Sequence, residues 1–295
     1  KPDWLWIKSR SDTEQHTVYD SSRGSTKRLM PDSTNGEYVN STQGIQSFNT
    51  DGFTLGENDQ NNKSSQTCVA WQWKANGGTT SSFAESGSNP GGNYQANTTA
   101  GFSIVTYTGT GSNGTVQHGL SSAPELVIVK QRDDNEHDWQ TGSDFLTSWA
   151  YRLKLNDAVA EASVATSFNS TAPTSSVFTV GSNDDVNEDA HGYVGYCFHS
   201  VQGYSKIGKY TGNGSSSDGP FVYTGFKPAF FLIKSLAAKN WHILDNKRNT
   251  INPVNLYLNP NNTDADGTFT FGDFLSNGFK ITNNGNTFNN NGEVY

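Results

Sequence analysis

The sequence contains one pattern three times: Lys1-Pro2-Asp3-Trp4-Leu5-Trp6-Ile7-Lys8, Ala123-Pro124-Glu125-Leu126-Val127-Ile128-Val129-Lys130 and Lys227-Pro228-Ala229-Phe230-Phe231-Leu232-Ile233-Lys234. In each, a proline precedes a short apolar run that ends in lysine. A run of this length, rich in aromatic and β-branched residues, predicts a buried β-strand. Because a pattern that recurs along a chain indicates related structural units, we expect three repeats.

The spacing after each lysine supports this interpretation. A phenylalanine follows the lysine after 45, 48 and 45 residues, at Phe53, Phe178 and Phe279. Two of the three come directly after a tight-turn pair, Asp51-Gly52 or Asn277-Gly278, which is a strong signal for a β-hairpin. Each repeat is therefore predicted to carry a second strand at a nearly fixed distance from the first.

An opening strand is recognisable in two repeats only. Residues 101–111 and 203–214 are similar to each other, and both end in a Tyr-Thr-Gly-x-Gly sequence. Together with a closing strand such as residues 193–198, one unit spans about 100 residues, the usual size of a β-sandwich. The predicted fold class is all-β, built from tandem antiparallel β-sandwich repeats of the jelly-roll or lectin-like type.

These matches divide the chain into four parts. Residues 1–76 are predicted to be a partial repeat without its opening strand, and residues 77–100 a Gly/Ser/Asn-rich linker. Residues 101–201 form a complete repeat, and residues 202–295 a third repeat truncated at its closing strand. Since missing strands leave sheet edges unpaired, we expect either a longer polypeptide or neighbouring subunits that donate the strands.

The amino-acid composition and the net charge argue against several classes of function. Only 33% of the residues are hydrophobic and 16% charged, while aromatic residues reach 12%, which favours a β-protein with an aromatic core. A net charge of -8 without a Lys/Arg cluster argues against nucleic-acid binding, and no apolar run is long enough for membrane insertion. Cys68 and Cys197 are interpreted as small buried hydrophobic residues.

Two tryptophan pairs alternate along predicted strands, Trp4 with Trp6 and Trp71 with Trp73. Alternation places both rings of a pair on one face, where exposed rings would stack on sugars. The places equivalent to Trp4 and Trp6 hold Leu126, Ile128, Phe230 and Leu232, which are plain hydrophobic residues. The pairs are therefore predicted to form the sandwich core.

Two Asp-x-x-Arg segments occupy similar places, 12 and 11 residues after the lysine: Asp20 to Arg23, and Asp245 to Arg248. A carboxylate and a guanidinium at this spacing close a turn through a salt bridge. The second repeat has no such pair, and an enzyme site would not be duplicated with a gap between the copies. We predict a structural turn.

Acidic stretches raise the question of metal binding. Residues 262–267 and Asp273 partly match a calcium-loop template, but Asn262 stands at position 1 and a strand follows. Residues 133–138 and 183–189 are acidic clusters that either hold a divalent cation or are solvated loops, and solvated loops are the favoured reading. No catalytic, cofactor-binding or metal-binding residue is predicted, and no cofactor is expected.

The histidines give no sign of catalysis. His16, His118, His137, His191, His199 and His242 have no i,i+4 pairing and no cysteine partner at zinc spacing. No nucleophile elbow, phosphate loop or dinucleotide fingerprint occurs in a strand-to-helix setting. Glycoside hydrolysis needs only two suitably spaced carboxylates and so stays open, although nothing in the sequence favours it. The chain is predicted not to be an enzyme.

Several motifs occur together in the later repeats: Tyr107-Thr108-Gly109-Thr110-Gly111, Tyr210-Thr211-Gly212-Asn213-Gly214, Gly225-Phe226-Lys227-Pro228, Trp241, and Ser276-Asn277-Gly278-Phe279. Their combination resembles a repeat of virion structural proteins from marine tailed phages, especially cyanophages. The resemblance implies a fibre, appendage or capsid-surface component of the virion. Its expected partners are other virion subunits, as in a homo-oligomer, and a host-surface glycan. The alternatives are a glycan-binding lectin-like module and a polysaccharide depolymerase.

Overall fold

A computed structural model describes residues 1–283, 285 and 287–295 of the chain. Strands account for 40% of the residues and helices for 4%, and all named sheets are antiparallel. The predicted all-β class is confirmed. The few helices are single turns that connect strands, because the sequence offers no long apolar stripe with helical spacing.

The first repeat, residues 1–76, forms one five-stranded sheet and one hairpin. Its elements are β1 (Trp4–Ser9), β2 (Thr17–Asp20), β3 (Gly24–Leu29), β4 (Tyr38–Val39), β5 (Ile45–Asn49), β6 (Gly52–Leu55), α1 (Asp59–Asn62) and β7 (Cys68–Trp73). The sheet has the order β4-β3-β2-β1-β7, while β5 and β6 pair with each other. The turn between β5 and β6 consists of Thr50 and Asp51, so the hairpin forms where the Asp51-Gly52 pair predicts one.

Residues 77–100 are not a linker, which corrects the prediction. They contain β8 (Ser81–Phe83) and β9 (Gly92–Asn97), which pair with each other, and β9 also pairs with the next strand of the chain. The buried Gln95 accepts from the backbone amides of Asn76 and Gly78 and donates to the hydroxyls of Ser21 and Ser22. This segment therefore extends the sheet of the second repeat and fixes it to the first.

The second repeat, residues 101–201, provides most of an eight-stranded sheet. Its elements are β10 (Phe102–Thr108), β11 (Gly114–Gln117), β12 (Leu126–Gln131), β13 (Gln140–Ser143), β14 (Tyr151–Lys154), β15 (Ala162–Ser163), α2 (Ala165–Phe168), β16 (Val177–Val180), α3 (Asp184–Asn187) and β17 (Gly192–Phe198). The sheet has the order β15-β14-β13-β12-β17-β10-β9-β8, and β11 pairs with β16. The opening strand β10 thus lies beside the closing strand β17.

The third repeat, residues 202–295, has a four-stranded sheet and a hairpin. Its strands are β18 (Phe221–Tyr223), β19 (Phe230–Lys234), β20 (Trp241–Asp245), β21 (Val254–Tyr257), β22 (Gly267–Leu275) and β23 (Gly278–Ile281). The four-stranded sheet has the order β18-β23-β22-β21, and β19 pairs with β20. Tyr210 and Tyr295 stack at 5.0 Å, as Tyr107 and Tyr193 do at 5.1 Å in the second repeat.

Strand register shows that the sequence repeat is also a structural one. In the first and third repeats, the strand that carries the repeated pattern pairs with the next strand in the same register. Trp4 lies opposite Asp20, and Phe230 lies opposite Asp245. The closing strands match as well, since Trp4 faces Trp73 in the first repeat just as Leu126 faces Phe198 in the second. A residue found in one repeat can therefore be compared directly with its counterparts.

Each repeat has an interior of its own, on one face of its lysine-ending strand. Leu5 and Ile7 point into the first interior, and Val127 and Val129 into the second. In the third repeat Ile233 belongs to the corresponding cluster, with Phe231 packed against it. Alternation then sends the other residues of these strands to the opposite face.

That opposite face forms a core shared by all three repeats. Trp4, Trp6, Trp71, Ile128, Trp139, Tyr196, Trp241 and Ile243 are buried in it, and Leu126, Phe230 and Leu232 pack against it. Trp4, Trp6 and Trp71 are thus buried core residues, and Trp73 packs against them partly buried, but this core is not the interior of a sandwich as predicted. They lie between the repeats. A strand that borders the interior of its own repeat on one face and the shared core on the other needs apolar residues on both faces.

The three repeats close into a ring through equivalent backbone contacts. Two residues beyond each lysine, a carbonyl accepts a hydrogen bond from the neighbouring repeat: Glu37 N to Arg132 O at 2.7 Å, Asp266 N to Arg10 O at 2.8 Å, and Glu161 N to Leu236 O at 2.9 Å. Each repeat donates one such bond and accepts one. The chain therefore has the arrangement of a pseudo-threefold assembly built within one polypeptide.

Candidate functional site

The Asp-x-x-Arg segments do close turns, as predicted, and they also join neighbouring repeats. Arg23 Nε contacts Asp20 at 2.5 Å, and Arg248 Nε contacts Asp245 at 2.6 Å. The two arginines reach further to Glu37 and Asp266, which in turn bind an arginine of the adjacent repeat, Arg132 and Arg10 respectively. Although burial raises the pKa of the Asp245 carboxyl, Arg248 outweighs it and holds that pKa below its usual value. These salt bridges therefore help to hold neighbouring repeats together.

The calcium-like loop does not bring its oxygen atoms together. Asp266 is engaged by Arg10 and Arg248, and Asp264 interacts with Asn262. Asp273 lies on β22, opposite Lys280. These contacts fit the predicted polar turn.

The two acidic clusters, far apart in sequence, meet at one corner of the second repeat. His137 Nε2 lies 3.3 Å from Asp134 Oδ2 and 3.6 Å from Glu188 Oε2, and His137 Nδ1 lies 3.2 Å from Asp185 Oδ1. We call Asp134, His137, Asp185 and Glu188 the acidic corner. The sequence identified both loops but gave no sign that they converge.

The two cysteines differ from each other. Cys197 is buried in β17, as predicted, and burial raises the pKa of its thiol to about 12. Cys68 is exposed, so the prediction that it is a buried residue is wrong. It begins strand β7, whose outer edge is described next.

Strand β7 lies at the edge of the first sheet, with β1 on one side only. Its counterpart β17 is covered on both sides, by β12 and by β10. Five of the six residues of β7 are at least partly accessible, all except Trp71, whereas β17 is almost entirely buried. Among the described residues, none pairs with the outer edge of β7.

In the second and third repeats, an asparagine side chain holds the turn at the end of the opening segment. Asn187 Oδ1 accepts from the backbone of Thr110, and Asn289 Oδ1 accepts from that of Asn213, so both hold a Tyr-Thr-Gly-x-Gly turn. The counterpart in the first repeat is Asn62, which ends α1 as Asn187 ends α3. Asn62 donates to Gly56 O just as Asn187 donates to Gly181 O, but Asn62 is exposed.

The interior of the first repeat is correspondingly small. It has four buried members, Leu5, Ile7, Tyr19 and Ile45, against fourteen in the second repeat. Val105 and Tyr107, which β10 supplies to the second interior, have no counterpart there. Phe53 is partly exposed, whereas the equivalent Phe178 is fully buried. An added strand would cover this opening, so the outer edge of β7, together with Asn62, is the candidate functional site.

Comparison with known proteins places the chain in a family without assigning an activity. The model of the family described as a domain of unknown function, DUF7483, matches residues 1–295, and the chain belongs to this family. No curated protein and no solved structure matches the chain. In the part of the chain that the structure describes, no helix has the length and apolar character required to span a bilayer.

Proposed function

We propose that the chain is a non-enzymatic structural component of a phage virion, a fibre, appendage or capsid-surface protein that acts through subunit assembly. The virion assignment depends on the motif resemblance described above. The mode of action is supported by one observation, the unpaired edge of β7 beside an under-filled interior. Exposed strand edges with open main-chain groups are templates for strand addition from another chain.

The occupant we propose is a strand of the Tyr-Thr-Gly-x-Gly type from a neighbouring subunit. In the second repeat, β10 binds the closing strand over seven residue pairs, from Phe102 opposite Phe198 to Thr108 opposite Gly192. Its Tyr107 then fills the interior, and the following turn is held by Asn187. The first repeat offers the same closing strand and the same asparagine, so a strand with the same sequence pattern fits its edge.

A peptide complementation experiment tests the assembly mode. A synthetic peptide with the sequence of residues 101–112 is titrated into the protein, and tryptophan fluorescence and the melting temperature are followed. We expect saturable binding of one peptide per chain and a higher melting temperature, because binding to the folded state alone stabilises it. Asn62→Ala should weaken binding, and a scrambled peptide serves as the control. Binding of both peptides alike, or of neither, would contradict the proposal.

Localisation on the particle tests the virion assignment separately. Antibodies against the chain, imaged on native particles by electron microscopy, should label a fixed position on the virion. Absence of the chain from purified particles would refute the assignment whatever the peptide experiment shows.

A glycan-binding surface is the second candidate, because two aromatic rings are exposed on the edge strand β18. Phe221 and Tyr223 are 46% and 67% exposed, and their spacing places both on one face of the strand. Rings presented in this way stack on sugars. Tyr223→Ala should abolish any binding seen on a glycan array, whereas an array without signal would remove this candidate.

A further inference from the structure

We propose that the acidic corner of the second repeat is a binding site for one divalent metal ion, with Asp134, His137 and Glu188 as ligands. The donor atoms of the three side chains all lie within 4.8 Å of one another. Zinc binds imidazole nitrogen and carboxylate oxygen at about 2.0–2.2 Å, which requires donor atoms roughly 3–3.5 Å apart. The distances from His137 Nε2 to the two carboxylates, 3.3 and 3.6 Å, are close to this spacing.

Asp185 orients the histidine for this role. Its Oδ1 lies 3.2 Å from His137 Nδ1, and its carboxylate is itself fixed by the backbone amide of Asp138 and by Gln140 Nε2. When Nδ1 carries the proton and donates to Asp185, Nε2 presents its lone pair between Asp134 and Glu188. A carboxylate behind a ligating imidazole is a common arrangement in metal sites.

A buried amide gives independent support. Gln131 is fully buried, and its Nε2 donates to Glu188 Oε2 at 2.8 Å and to the Tyr193 hydroxyl at 3.2 Å, yet its Oε1 has no partner within the described residues. A buried acceptor without a partner is costly. A cation held beside Glu188 would lower that cost.

The other two repeats place a lysine at the equivalent corner. Lys63 occupies the place of Glu188, directly after the short helix, and its Nζ lies 2.8 Å from Asp12 and 3.5 Å from Glu14. In the third repeat Lys239 occupies the place of His137, two residues before the buried tryptophan, and contacts Glu293 at 2.5 Å. In both repeats a lysine ammonium therefore contacts the carboxylates at this corner.

The second repeat has no lysine at either of these two places, which hold His137 and Glu188. Among the described residues, Asp134, Asp185 and Glu188 form ion pairs only with histidines, namely His137 and, for Glu188, His191. No lysine or arginine among the described residues forms a salt bridge with these carboxylates, and a metal ion would supply a positive charge in direct contact with them. Because the donor set combines one nitrogen with carboxylate oxygens, Zn²⁺ fits better than Ca²⁺, which prefers oxygen alone.

Calorimetric titration with zinc chloride at pH 7.5 tests the site, with His137→Lys as the matched variant. This substitution places in the second repeat the residue that the third already has, so it should fold and melt like the wild type. We expect one Zn²⁺ per wild-type chain and at least a tenfold loss of affinity in His137→Lys and in Glu188→Gln. His191→Ala should bind as the wild type does.

A nitrogen-15 NMR spectrum of the histidines identifies the ligand atom, because metal binding shifts the signal of the coordinated ring nitrogen. A zinc-dependent shift of His137 Nε2 would support the proposal. Equal binding by wild type and His137→Lys, or the absence of binding to the wild type, would overturn it.

Discussion

The indole Nε1 of Trp139, in the second repeat, donates a hydrogen bond to the backbone carbonyl of Met30, in the first repeat, at 3.0 Å. Trp241 of the third repeat makes the same bond to Lys154 of the second, at 2.8 Å. His16, the counterpart of both tryptophans, lies against the backbone of Asn259 in the third repeat and completes the ring. Repeats that share a core and contact each other in this way are not independent domains.

Because of that shared core, the three repeats should unfold together. Trp139→Phe removes the indole donor to the buried Met30 carbonyl, which still accepts from Ser33 N, and should lower the free energy of unfolding by about 0.5–1.5 kcal/mol. In differential scanning calorimetry the variant should show one single transition at a lower melting temperature, with equal calorimetric and van't Hoff enthalpies. A separate early transition for one repeat would show that the repeats unfold independently.

The buried ion pair of the first repeat offers a matched comparison with the second. Ser143 and Leu146 stand where the first repeat has Asp20 and Arg23, since Leu126 faces Ser143 as Trp4 faces Asp20. Arg23→Leu alone leaves an unpaired buried carboxylate and should cost about 3–5 kcal/mol. The double variant Asp20→Ser with Arg23→Leu copies the second repeat and should cost clearly less in urea denaturation. Equal losses would mean that the charge left behind is not the main cost.

Asp32 is predicted to destabilise the protein above neutral pH. Burial raises the pKa of its carboxyl to about 7, and the backbone amides of Asp32 and His16 together with Lys8 only partly offset this. Since the folded-state pKa lies above that of the unfolded chain, stability falls as pH rises from about 4 to about 7. The equivalent residues are Asn156 and Asn261, which accept from the backbone of their tryptophans at 2.9 Å.

Asp32→Asn should therefore stabilise the protein, by less than about 4 kcal/mol at pH 8, with a smaller gain at pH 4. Thermal melts of both proteins across this pH range measure the difference. A gain that does not depend on pH would exclude the ionisation of Asp32 as its cause.

The lysines that end the repeated strands should make stability rise in alkaline solution. Lys130 is fully buried with its Nζ 2.7 Å from Gln131 O, and burial lowers its pKa to about 8. Between pH 8 and about 10.5 the unfolded chain binds more protons than the folded one, so unfolding becomes less favourable as pH rises. The slope reaches about 1.4 kcal/mol per pH unit for one lysine.

Lys130→Met removes this contribution, and the free energy of unfolding of the variant should rise less steeply than that of the wild type over the same pH range. Lys27→Met serves as the control, because its ammonium is partly exposed on the surface. If the two variants and the wild type had equal slopes, Lys130 would not be deprotonated in the folded protein at these pH values.

The sequence by itself determined the repeat, the hairpins and the salt-bridged turns. The phenylalanines follow the lysines at almost constant distance, and Asp51-Gly52 and Asn277-Gly278 do lie at hairpin turns. Asp20 and Arg23 are three residues apart, so local geometry was enough to bring them together. Such features depend on neighbours in the chain, and their residue types state them directly.

Only the tertiary structure decided which face of each strand meets another repeat. Trp4 and Leu5 are both apolar, so alternation alone does not distinguish the shared core from the interior of the sandwich. Strand β9 escaped prediction because its apolar alternation is only two residues long, Tyr94 and Ala96, and the residues around them are polar and glycine. His137 and Glu188 meet because two loops end at the same corner. Contacts between segments this distant depend on how the sheets pack, which the local residue pattern does not encode.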